Sequence, residues 1–161
     1  MKKNEFISNR LREVFLNGQW VANTNFKEQI SDLSWEQATQ KVYNLNTIAA
    51  LTYHVYYYLS GVLRVLEGEN LDINDKYSFD IPILESEADW RKLMNDFLNC
   101  AERFADKVEQ MPEEKFDNIF VDKKYGNYQR NLEGMIEHGY YHLGQISLVK
   151  KIILENEKIS S

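Results

Sequence analysis

Apolar residues recur at helical spacing in four long stretches of the chain, and polar, glycine- or proline-bearing connectors separate them. The first stretch, from Asn4 to Asn17, carries Phe6, Ile7, Leu11, Val14 and Phe15 on one stripe, with Lys3, Asn9, Arg10 and Glu13 opposite and Gly18 as a stop. A connector with Trp20, Phe26 and Ile30 is too apolar for a free linker and is expected to pack on the helices. Ser34 followed by Gln37 has the form of a capping box, and a short helix to about Val42 follows. Asn44 to Glu67 reads as the most apolar helix, ended by Gly68 and free of charge from Asn44 to Gly61.

Pro82 rules out a helix through Asn70 to Leu84, which reads as a loop or crossover. Ser86, with Asp89 three residues on, starts the next helix. Its stripe is Trp90, Leu93, Met94, Phe97, Leu98, Ala101, Phe104, Ala105 and Val108, and Cys100 lies off the stripe's centre as a small packed side chain. Beyond Pro112, PEEKF reads as a single helical turn and DNIFVDKKYGNYQRN as a small hairpin or loop. The last helix runs from about Gln129 to Asn156, with a frayed end beyond it, and carries Leu132, Met135, Ile136, Leu143, Ile146, Leu148, Val149 and Ile152. Gly134, Gly139 and Gly144 weaken it by propensity and read as places where a helix, a ligand or another subunit comes close. The expected fold is all-α: residues 1–161 as one four-helix-bundle domain, whose long connections leave room for an order other than up-down-up-down.

Charge and cysteine content narrow the partners. A formal charge of −6 and a pI near 5.1 argue against nucleic acid or an anionic membrane, both of which reward a basic face. One cysteine forms no disulfide within the chain, no secretory leader or membrane span is read, and a reducing cytoplasm is the expected location.

Candidate chemistry lies in the histidines. The chain has three, and two of them, His138 and His142, stand four residues apart in the last helix, where that spacing stacks both rings on one face. His54 sits mid-helix in the uncharged stretch. Any one histidine is more often a packed or surface residue than a ligand. An imidazole in an apolar setting needs a partner for each nitrogen, however, and a shared cation supplies one for all three. The reading is a three-histidine metal site across two helices. Thr47, Ala50, Leu51, Tyr57, Tyr58 and Gly61 share the side of His54, so Tyr57 or Tyr58 is a candidate pocket residue. Gln145, one turn beyond His142, is a candidate second partner for a ligand, whereas Glu137 points about 100° from His138 and reads as solvated.

The segments LTYHVYYYLSGVL and EHGYYHLGQI, with a tryptophan-bearing connector ahead of the first, resemble the DinB/YfiT-like superfamily of metalloenzymes over nearly the whole chain. The specific part is H-x-x-x-H-x-G-Q-I in the last helix. The resemblance implies a four-helix bundle holding a divalent ion, nickel or zinc, through His54, His138 and His142. It also implies the activities of relatives: S-transfer with a low-molecular-weight thiol such as bacillithiol or mycothiol, thiol-dependent isomerisation, or metal-dependent hydrolysis. A homodimer packed through helices is a further expectation. A non-catalytic, stress-related metal-binding or structural bundle is the alternative. The family's name refers to DNA damage, yet the acidic charge gives no support for DNA binding.

Overall fold

The computed structural model describes residues 1–161 and is helical throughout, with no strand. Four long helices form the bundle: α1 (Lys3–Arg12, continued by a wider π turn over Glu13–Asn17), α4 (Ile48–Leu66), α5 (Glu87–Glu109) and α6 (Tyr128–Ser160). Two one-turn helices, α2 (Phe26–Ile30) and α3 (Trp35–Thr39), lie in the connection between α1 and α4.

The ends form where the sequence supplies caps. Ser34 and Gln37 make the reciprocal capping box at α3, and Thr47, Ser86 and Asn127 accept backbone N–H groups at the starts of α4, α5 and α6. Gly68, at φ +95°, takes the left-handed conformation that closes α4, and the Glu69 N–H returns to the Arg64 carbonyl.

Side-chain pairs give the helix directions. Tyr53 and Leu93, Tyr56 and Asp96, and Glu67 and Arg103 lie side by side, so α4 and α5 run parallel. Leu51 lies beside Gln145 and Val149, His54 beside His142 and His138, and Val62 beside Asn131, so α4 and α6 are antiparallel. Phe15 meets Phe97 while Asn4 reaches the Glu109 carbonyl, so α1 is antiparallel to α5. The order is therefore up-down-down-up. A parallel α4–α5 pair forces residues 68–86 to travel the length of the bundle, which is why that connection is long.

A cluster of 38 buried apolar residues fills the centre. Phe15, Phe26 and Phe97 meet there with ring centroids 5.2–6.0 Å apart, and Trp90 is fully buried while its Nε1–H donates to the Leu33 carbonyl at 3.0 Å. Each such side chain contributes about 1.5–3 kcal/mol by leaving water. Phe26 and Ile30 pack inward as expected of the connector.

Several sequence expectations need correction. Phe6 is half exposed and lies beside the Arg10 guanidinium, because the buried stripe of α1 takes Ser8 instead, whose hydroxyl is satisfied by the Glu5 carbonyl. Trp20 is 78% exposed in a turn flanked by the positive-φ residues Val21 and Asn23. α4 starts at Ile48, since Thr47 caps it after a turn at Tyr43 and Asn44. On α6 Ile153 is fully buried and Ile152 partly so, Leu148 faces out, and the helix runs to Ser160. The expected hairpin reduces to one bridge between Ile119 and Asn127, with a 3₁₀ turn at Lys123–Tyr125.

Candidate metal centre

α4 and α6 bring the three histidines together. Their ring centroids lie 4.5 Å (His138 and His142), 4.7 Å (His54 and His142) and 5.1 Å (His54 and His138) apart. One ring nitrogen from each falls within 4.8 Å of the others, a grouping that can hold a metal ion. His54 and His142 are buried, and His138 is partly so.

Neighbouring groups set the tautomers of two rings. The His54 Nδ1–H donates to the Ser78 carbonyl at 3.3 Å, and the His142 Nδ1–H donates to Gln145 Oε1 at 2.7 Å, which leaves Nε2 of each with a free lone pair. The assignment follows from chemistry, because neither oxygen can donate unless the Gln145 amide is flipped. His138 Nε2 lies 3.1 Å from His54 Nε2, and His138 Nδ1 is buried without a partner. Burial lowers the pKa of all three, that of His138 to about 4, with the neighbouring histidines adding to the effect at His54 and His138 and the Gln145 contact opposing it at His142. Near neutral pH the rings are therefore uncharged, the form that ligates a metal.

The donor set fits a divalent transition ion. Imidazole suits nickel and zinc alike. Ligand bonds of about 2.0–2.1 Å at a tetrahedral angle place two nitrogens about 3.3 Å apart, close to the observed 3.1 Å. Without a cation, His138 in its Nε2–H form donates to the His54 Nε2 lone pair, and its Nδ1 is then left buried without a partner.

Aromatic side chains flank the cluster. Tyr58 lies edge-on to His54 and His138, at 5.1 and 5.2 Å, and its hydroxyl donates to Asp75 Oδ1 at 2.8 Å. Burial first, and then Asp75, raise the Tyr58 pKa, so the phenol keeps its proton. Phe79 stacks on His54 at 4.0 Å with an interplanar angle of 14°, and Tyr141 meets His142 edge-on at 4.9 Å. Tyr57 turns away from the histidines and ties down the α4–α5 crossover, its hydroxyl donating to the Asn74 carbonyl and accepting from the Asn74 N–H. Glu137 is exposed and pairs with Arg130 at 3.0 Å. Cys100 is buried on α5 beside Tyr56 and Arg64, and burial pushes its thiol up to about 12.

Sequence reasoning did not reach Ser78, Phe79 or Asp75. All three lie in the crossover, about 20 or more residues from His54 in the chain, with no periodicity to place them. Tyr141 was within reach, since it immediately precedes His142.

The fold and this cluster define an all-α bundle with a three-histidine group compatible with a divalent metal. The family model of the DinB superfamily matches residues 22–146, a stretch that includes all three histidines and Gln145, and the chain belongs to that superfamily. No curated protein and no solved structure matches it.

Proposed function

We propose that the protein is a metal-dependent thiol S-transferase that holds one nickel or zinc ion through Nε2 of His54, His138 and His142. The observation that carries this reading is the convergence of three uncharged imidazoles, two of them locked in the Nδ1–H tautomer by Ser78 and Gln145. Three protein ligands leave a position open, as catalytic sites do and closed structural sites do not. An ion held there supplies Lewis acidity, lowering the pKa of a low-molecular-weight thiol so that its sulfur attacks an electrophile at neutral pH.

The chain's own residues do the rest. Gln145 and the Ser78 carbonyl orient two of the rings, and Phe79 and Tyr141 pack against them. Tyr58 gives its hydroxyl proton to Asp75, and that bond keeps its ring edge-on to His54 and His138.

Cobalt-substituted protein titrated with 2-mercaptoethanol tests the reading. The visible spectrum should change at saturation, and the thiol should be consumed faster with 1-chloro-2,4-dinitrobenzene than in buffer holding the same free metal. Gln145→Ala and Tyr58→Phe should slow that rate with metal still bound. An unchanged spectrum with no thiol consumption contradicts the transferase reading, and turnover of 4-nitrophenyl acetate in the same preparation would replace it by hydrolysis.

A further inference from the structure

The groove between α4 and α6 does not end at the histidines. One turn along α4 from His54 comes Tyr58, then Val62, and one turn back along α6 from His138 comes Gly134, then Arg130. Between them lies a cavity of about 390 Å³, roofed by Ile73 of the crossover and Phe120 of the α5–α6 connection. That volume lies within the range of small-molecule sites. Its walls are mainly apolar, and it adjoins the histidine cluster through the Tyr58 ring.

Two observations indicate what fits. A Cβ built on Gly134 meets nothing within 4 Å, so the missing side chain leaves open space rather than a close helix contact. The charges are also polarised along the trough. Asp75, at the histidine end, is committed to the Tyr58 hydroxyl, while Arg130 springs from the far end, its backbone about 12 Å along the helix from that of His138 and its guanidinium turned back to Glu137. Arg130 is paired with Glu137, but both side chains are more than half exposed, so that pair is weak and exchangeable.

We propose that this trough binds a small molecule with an apolar body and a single anionic end, the apolar part lying over Gly134 and the anion against Arg130. Such a molecule lies with its uncharged end toward Tyr58, the side chain that separates the trough from the histidine cluster, because Asp75 repels the other end. Its role as the substrate that the thiol attacks rests on the reading under Proposed function, whereas the binding itself does not.

Octanoate serves as the probe, with octan-1-ol and octylamine as uncharged and cationic controls, in calorimetric titrations of the protein as purified. Octanoate should bind saturably. Gly134→Leu, which fills the trough with a good helix former, should weaken it at least tenfold while circular dichroism and metal content stay as in the parent. Arg130→Gln should weaken octanoate about fivefold and leave octan-1-ol unchanged. Absence of saturable octanoate binding, an unchanged affinity in folded Gly134→Leu, or octylamine binding as tightly as octanoate would each overturn the assignment. The cobalt–thiol titration on the same preparations separates the two ideas: a thiol response without octanoate binding removes the trough alone, and octanoate binding without a thiol response removes the transferase reading alone.

Discussion

The three glycines of α6 should respond to the same substitution with opposite signs. A Cβ at Gly139 would stand 2.8 Å from Phe15 Cζ and 3.0 Å from Val14 Cγ2. Phe15 cannot give way, since Phe26 and Phe97 hold it at centroid distances of 5.5 and 6.0 Å in the centre of the core. Overpacking of that kind costs about 1–3 kcal/mol, against a gain of up to about 1 kcal/mol in helix propensity. Gly139→Ala should therefore destabilise by up to about 2 kcal/mol, a fall of as much as about 8 °C in Tm for a chain of this size. At Gly134 and Gly144 a Cβ meets nothing within 4 Å, so only the propensity gain remains. Gly134→Ala and Gly144→Ala should each raise stability by up to about 1 kcal/mol. Urea midpoints and thermal melts of the three variants read this directly. A Gly139→Ala protein as stable as Gly144→Ala would refute the packing of α6 on the π turn, and so the positioning of His138 next to it.

Two further predictions concern titratable groups. In metal-free protein, His138 has a folded pKa near 4 against about 6.5 when unfolded, so the unfolded chain binds the extra proton and stability is lost as pH falls from about 6.5 toward 4. By pH 5 that amounts to about 2 kcal/mol from His138, with His54 and His142 acting in the same direction; urea midpoints at pH 7 and 5 should show the loss and His138→Gln should remove much of it, whereas equal midpoints in the parent would contradict the buried cluster. Cys100, buried with its thiol raised to about 12, should react with 5,5′-dithiobis(2-nitrobenzoate) only on unfolding, and rapid labelling of the native protein would contradict its placement on α5.

Much of this architecture was legible because burial leaves a periodic mark. The α5 stripe from Trp90 to Val108, the caps at Ser34, Ser86 and Gly68, and the H-x-x-x-H pair with Gln145 one turn on are local patterns, and each could be read from neighbours in the chain. Residues whose neighbours are distant were not legible. Phe6 reads as part of the α1 stripe by its apolar side chain, yet at about 100° per residue it lies farther than Ser8 from Ile7, Leu11, Val14 and Phe15, and Ser8 is the residue that is buried. The three consecutive tyrosines diverge around α4, so Tyr58 borders the histidines, Tyr57 holds Asn74 and Tyr56 lies toward α5, a division fixed by what packs on each face. Ser78 and Phe79 reach His54 only because two parallel helices need a crossover that passes over the site. Gly139 and Gly144 look alike in sequence, yet the first is filled by Phe15 and Val14 of the same chain and the second is open.

Metal content of untagged protein tests the central claim most directly. Elemental analysis after gel filtration should find about one divalent transition ion, nickel or zinc, per chain, and His142→Ala should lose most of it while circular dichroism shows the bundle intact. Occupancy unchanged in a folded His142→Ala protein, or no transition metal retained by the parent after supplementation with nickel and zinc, would contradict the three-histidine centre.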